Sequence, residues 1–233
     1  PTYRMREGSE RRRNDRYGIT HVHQFYTKRN AYTLGRFYEL AKDGPALVLV
    51  QSVSMLNTKM YRYRWAGGFA GAGGGPLAGT FYIPSLIKDI SILKSLSEFA
   101  SKTKKAKYLL PQMPGISCIS TQSLVNMLLP ENSIDYIFTD PPFGSNLNYS
   151  ELSSIWESWI KVQTNNETEA IVDKVFSKGL VEYQTLMESC FAAYYRALKP
   201  GRWITVEFHN SQNSVWNAIQ EAMLRAGFVV ADV

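Results

Sequence analysis

Residues 134–159 read "IDYIFTDPPFGSNLNYSELSSIWESW", and the way the first ten are taken decides the fold. Tyr136, Ile137 and Phe138 make a short apolar run bounded by turn residues, the pattern of a buried strand. Asp140-Pro141-Pro142-Phe143-Gly144 closes it. Proline fixes φ, has no N–H to donate and restricts the residue before it, so the strand must stop there in a stiff segment. Such a segment is either an ordinary Asp-Pro turn or a rigid group of side chains carried to the edge of a sheet.

The elements on either side favour the second reading. From residue 116 the pattern predicts strand 116–119, helix 123–129, strand 134–139, helix 150–162, a charged loop and helix 180–197. The turn Lys199-Pro200-Gly201, strand 203–208, helix 214–226 with Gly227 as C-cap, and strand 228–233 follow. A β-α series of this kind builds a mainly parallel sheet covered by helices, with ligands at the carboxyl ends of strands. Residues 140–143 lie at such an end.

Upstream, residues 17–42 suit a helix from about 27 that Asp43-Gly44-Pro45 breaks, and residues 46–50 are compatible with a strand or a helix. Residues 66–79 hold seven glycines and read as a loop. Helix 85–105 is expected, with Ser85 as N-cap and Ile90, Leu93, Leu96 and Phe99 on its apolar face.

The chemistry suited to Asp140-Pro141-Pro142-Phe143 is alkylation of an exocyclic amine. An aromatic amino group is a poor nucleophile because its lone pair is delocalised. A carboxylate at Asp140 and the backbone carbonyl of Pro141 can accept its two N–H bonds and steer the nitrogen toward tetrahedral geometry. The prolines preorganise these acceptors, and Phe143 offers a face on which a base taken out of a duplex can stack.

DPPF resembles the catalytic D/N-P-P-Y/F/W motif of amino-group methyltransferases. The stretch "LLPENSIDYIFTDPPFGSNLNYSEL" looks like adenine-specific (N6) DNA methyltransferases, and "RALKPGRWITVEFHN" followed by "VWNAIQEAMLRAGFVV" is similar to their downstream half. The resemblance spans roughly residues 80–233. It implies an α/β, Rossmann-like SAM-dependent methyltransferase fold, mainly parallel with helices on both faces, whole or lacking part of its cofactor half. It also implies S-adenosyl-L-methionine (SAM) as cofactor and DNA with a flipped target base as partner. Asp140, Pro141, Pro142 and Phe143 become the catalytic residues.

Asp140, Thr121 and Gln122 are the candidates for cofactor contact, and Phe143, Asn146, Tyr149, His209 and Asn210 for the substrate. Ser150, Glu151 and Asn148 are further candidates at its border. Trp156 and Trp159, at helical spacing with Leu152 and Ile155, read as core.

The chain departs from the family's pattern in two places. No acid stands at Ser120-Thr121-Gln122-Ser123, where relatives hold one near the cofactor. Phe69-x-Gly71-x-Gly73 matches F-x-G-x-G only in letters, because no apolar strand feeds it and no helix leaves it. The chain is therefore expected either to be a fragment of a longer methylase or restriction-modification polypeptide that carries the missing segment, or to bind SAM poorly. N4-cytosine or RNA amino-methylation, and a nucleic-acid-binding fragment without activity, stand as alternatives.

Composition agrees with a globular protein: 233 residues, 45% of them hydrophobic. A net charge of +6 suits a polyanionic partner. Residues 1–16 hold Arg4, Arg6, Arg11, Arg12, Arg13 and Arg16 against Glu7, Glu10 and Asp15, and are expected as a basic flexible arm. Residues 17–110 are expected as a variable helical region and 111–233 as the catalytic core. No run of about 18 apolar residues predicts a membrane span, so a cytoplasmic protein is expected. Cys118 and Cys190 without a CxxC pair, and His21, His23 and His209, suggest neither a disulfide framework nor a zinc site.

Overall fold

Ile134–Thr139 forms a strand that pairs in parallel with Leu198–Val206, and this pair is the only parallel sheet among the described residues. The computed structural model describes residues 1–66, 69–70, 74–109, 115–144 and 147–231. In chain order the helices are α1 (Ser9–Asp15), α2 (Lys28–Ala41), α3 (Leu47–Ser54), α4 (Ile92–Leu109), α5 (Tyr149–Ile160), α6 (Leu180–Ala197) and α7 (Asn213–Arg225). The strands are β1 (Trp65–Ala66), β2 (Phe69–Ala70), β3 (Ile134–Thr139) and β4 (Leu198–Val206), with β1 and β2 antiparallel. The architecture mixes helix and sheet, and no described helix is long and apolar enough to cross a membrane.

The chain divides into two compact units, Pro1–Ile116 with Tyr149–Thr164, and Ser117–Asn148 with Asn165–Val233. Helix α5 thus groups with the N-terminal residues, whereas the sequence reading placed it within 111–233. The reason is its apolar stripe. Ile155 and Trp159 are buried in a core with Val22, Phe25, Tyr26, Leu34, Tyr38, Val50 and Val53, and Leu152 and Trp156 pack against it. The Trp159 indole N–H donates to the Tyr26 hydroxyl at 2.9 Å, and burial pushes that hydroxyl well above its ordinary pKa.

Residues 1–16, expected as a basic flexible arm, have defined partners in the structure. Met5 and Val22 donate to the carbonyls of Thr20 and Tyr3 at 2.8 and 2.9 Å, so the terminal segment pairs with residues 20–22. In α1 the buried Glu10 carboxylate accepts from the Phe81 amide at 2.6 Å and the Thr80 hydroxyl at 2.8 Å. The first turn of α1 is closed by Glu151 of α5, whose buried carboxylate accepts the Glu10 and Arg11 amides at 3.2 and 2.6 Å. Helix amides that would otherwise lack partners are satisfied this way. Gly8 is required beside it, since a Cβ there would lie 2.2 Å from the Glu151 carboxylate. Arg6, one of the arginines of the terminal segment, is paired with the buried Glu157 at 3.4 Å.

Helix α4 begins at Ile92 rather than 85, because residues 86–88 are held extended: Tyr63 donates to Leu86 and Lys88 to Tyr61, at 2.9 and 2.8 Å. Tertiary pairing overrides local propensity there. Ser91, whose hydroxyl accepts from the Lys94 amide at 3.5 Å, takes the capping place expected for Ser85.

In the C-terminal unit, Tyr183, Met187, Phe191, Val215, Ile219 and Ala222 of α6 and α7 form the core, and Ile204 and Val206 of β4 pack against it. The opposite sheet face carries Tyr136, Phe138 and Trp203, exposed at 55%, 61% and 65%. The predicted strand 116–119 is absent: Ile116 and Ile119 are exposed in irregular chain, because a lone segment without a ladder buries nothing. The predicted helix 123–129 shrinks to a 3-10 turn, Leu124–Asn126, and residues 228–231 form no strand. Lys199-Pro200-Gly201 is not a turn before β4 but a bulge within it. Ile134 faces Leu198 and Tyr136 faces Trp203, so Lys199 to Arg202 stand opposite Asp135 alone. Lys199 and Arg202 pair with the Asp135 carboxylate at 2.9 and 3.4 Å.

Candidate active site

The end of β3 is pinned from two sides before the motif begins. The Thr139 carbonyl accepts the Glu207 amide at 2.9 Å, and its hydroxyl lies 3.1 Å from the Tyr194 hydroxyl of α6. Asp140 follows, exposed, then the buried Pro141. Among the described residues no hydrogen bond engages the Asp140 carboxylate or the Pro141 carbonyl, the two acceptors singled out in the sequence. The next three carbonyls are each taken. Pro142 accepts from the Tyr183 hydroxyl at 2.7 Å, Phe143 from the Asn210 side-chain amide at 2.6 Å, and Gly144 from the Val172 amide at 3.3 Å.

Phe143 is half-buried. Its ring meets Phe208 edge to face at 5.4 Å, and Phe208 meets Trp216 the same way at 5.1 Å. Two successive T-shaped contacts hold the Phe143 ring from one side. Gly144 turns the chain at φ +77°, a conformation that suits glycine, and a Cβ would stand 3.0 Å from Val215. Loop residues 165–178 are stitched to this end of the unit. Val172 reaches Gly144, the Asn148 amide donates to Asp173 at 3.1 Å, and Lys178 donates to the carbonyls of Asn166 and Glu169 at 3.0 and 2.8 Å.

The structure brings Asn210 to the motif, where its side chain is engaged by protein groups. It is buried, with its Oδ1 accepting the Gln212 amide at 2.7 Å and its carbonyl accepting the Trp216 indole at 2.7 Å. His209 is exposed at the end beyond β4. Tyr149 opens α5 and belongs to the N-terminal unit, as do Ser150 and Glu151. Those last two are buried, and Glu151 is committed to the start of α1. Asn146 lies outside the described residues.

Thr121 and Gln122 are exposed in irregular chain, and no hydrogen bond joins them to residues 140–143. The letters F-x-G-x-G fall on the two-residue strand β2, with Gly71 and Gly73 outside the described residues. The described residues offer no strand-turn-helix cradle, so they do not fit SAM in the way that the resemblance implies.

Sequence reasoning missed Tyr183, Phe208 and Trp216. Tyr183 follows the apolar stripe of α6 and reads as core, and the ring is indeed fully buried. Nothing in its spacing reveals that the hydroxyl meets a carbonyl 41 residues away. The chain matches no family model, no curated protein and no solved structure.

Proposed function

We propose that the C-terminal unit carries the acceptor side of an SAM-dependent amino-methyltransferase that acts on the exocyclic N6 amine of adenine in DNA, on a Rossmann-like core. The carrying observation is the sorting of acceptors at the end of β3. Among the described residues Asp140 and the Pro141 carbonyl accept no hydrogen bond, and the carbonyls of residues 142–144 are all held. An amine with two N–H bonds needs two acceptors set at fixed separation, and prolines on either side of one of them limit its motion. In this reading Asp140 and Pro141 orient the nitrogen, and Phe143, braced by Phe208, stacks on the extruded base. SAM is the donor that the resemblance implies.

Methyl transfer from labelled SAM to unmethylated DNA, assayed in the full-length polypeptide that contains these residues, tests the proposal. Asp140→Ala is expected to lower the rate by about 10²–10³-fold, the scale of losing one preorganised electrostatic contact. Undiminished transfer overturns the assignment. Nucleoside analysis of the product separates N6-methyladenine from N4-methylcytosine, and an RNA substrate tests the remaining enzymatic alternative.

A second reading, a nucleic-acid-binding module without activity of its own, is favoured by the missing cradle and the net charge of +6. Calorimetry with SAM discriminates: saturable binding by residues 1–233 excludes it.

A further inference from the structure

Proline fixes its own φ and restricts ψ of the residue before it, so Asp140 and Pro141 are restrained, and ψ of a residue sets the direction of its own carbonyl. The two prolines of Asp140-Pro141-Pro142-Phe143 therefore stiffen the motif only in part. The remaining freedom lies in ψ of Pro142 and Phe143, and those two carbonyls each receive one side-chain donor: Tyr183 on Pro142 at 2.7 Å and Asn210 on Phe143 at 2.6 Å. We propose that Tyr183 and Asn210 are positioning residues that complete the preorganisation begun by the prolines, holding Asp140 and the Pro141 carbonyl toward the acceptor amine. This inference rests on the amino-methyltransferase reading above.

Both donors are themselves immobilised. Tyr183 is wholly buried in the first turn of α6, among Met187, Phe191 and the side chains of α7. Its hydroxyl is the polar end of a core side chain. The Asn210 amide is oriented without ambiguity, because its Oδ1 faces the Gln212 N–H and its Nδ2 faces the Phe143 carbonyl. The Trp216 indole, bonded to the Asn210 carbonyl at 2.7 Å, fixes the backbone of that residue and braces Phe208 against Phe143. One small constellation thus sets both the acceptors and the stacking ring.

A donor that only fills a core would affect stability. A donor that aims acceptors must affect the rate once substrate is bound. Tyr183→Phe retains the ring and removes the donor, and Asn210→Asp retains the size and the Gln212 contact while replacing the donor with an acceptor. In the full-length polypeptide both are expected to lower kcat by about 10- to 100-fold, the scale of an ångström of misplacement, with KM for DNA within about twofold of wild type. The thermal midpoint of Tyr183→Phe is expected to stay close to wild type.

The side-chain amide signals of Asn210 in a ¹⁵N–¹H spectrum give a readout independent of activity. They are expected to be shifted and slow to exchange in the wild type, and to move toward free-amide positions in Trp216→Phe. An active wild type whose kcat is unchanged in both Tyr183→Phe and Asn210→Asp overturns the inference, as does a fast-exchanging Asn210 amide in the wild type. A wild type that transfers no methyl group overturns the functional reading itself, and the amide spectrum then still reports whether the clamp exists.

Discussion

In the N-terminal unit the buried carboxylates Glu10, Glu151 and Glu157 each meet amide, hydroxyl or guanidinium donors, whereas in the C-terminal unit the exposed Asp140 meets none among the described residues. The difference separates acceptors that build structure from one that no protein donor engages. Glu151 stands a few residues beyond the motif in sequence and looked equally suited to a substrate. Its two amide partners at the start of α1 show that both carboxylate oxygens are already engaged. Burying a carboxylate without such partners would be costly, so the burial itself marks Glu10, Glu151 and Glu157 as structural.

The cores differ in the same manner. The N-terminal unit surrounds Trp159 with aromatic and aliphatic side chains, while the β3–β4 sheet covers one face and leaves Tyr136, Phe138 and Trp203 exposed. Replacing Trp159 with alanine is the strongest way to break the contrast. It removes a buried ring and leaves the Tyr26 hydroxyl without its indole partner, and is expected to cost about 3–5 kcal/mol in denaturant unfolding. Faster hydrogen exchange in α2, whose Leu34 and Tyr38 share that core, is the accompanying local signature.

A smaller effect sharpens the comparison within one strand. Ile137 lies on the covered face at 9% exposure and Phe138 on the open one at 61%. Ile137→Ala is expected to cost about 2–4 kcal/mol, and Phe138→Ala no more than about 0.5 kcal/mol, as for a surface position. Equal costs, measured by urea unfolding, would mean that the outer face is covered in solution.

The smallest effect belongs to the bulge of β4. The hydrogen bond and charge of Lys199, aided by Arg202, hold the Asp135 carboxyl below its ordinary value of 3.8. A depressed carboxyl contributes stability above that ordinary value and loses it as pH falls from there through the folded value. Asp135 is fully exposed, so the gain is slight. Wild type is expected to melt marginally above Asp135→Asn at neutral pH, with the two curves converging as pH drops below 3.8. A difference that persists in strong acid would contradict the pairing.

Sequence pattern alone specified the helices over 28–41, 149–160, 180–197 and 213–225 to within a few residues, and it located β3. These elements have long apolar stripes or a run bounded by breakers, so local chemistry suffices. It also singled out Asp140 to Phe143, since Pro-Pro after an apolar strand is a local restraint. Where the pattern failed, the deciding partner was remote. Residues 86–88 are extended because residues 61–63 pair with them, and residues 1–16 are ordered because Glu151 and the 80–81 segment hold them.

The sequence by itself therefore determined where a stiff, acceptor-bearing segment stands and which helices surround it, because φ restriction and apolar periodicity are properties of neighbouring residues. Only the tertiary structure decided which acceptors remain open. The lone pairs of Pro142, Phe143 and Gly144 are taken by Tyr183, Asn210 and Val172, and hydrogen bonds between residues 28 to 67 positions apart leave no periodic trace in the chain.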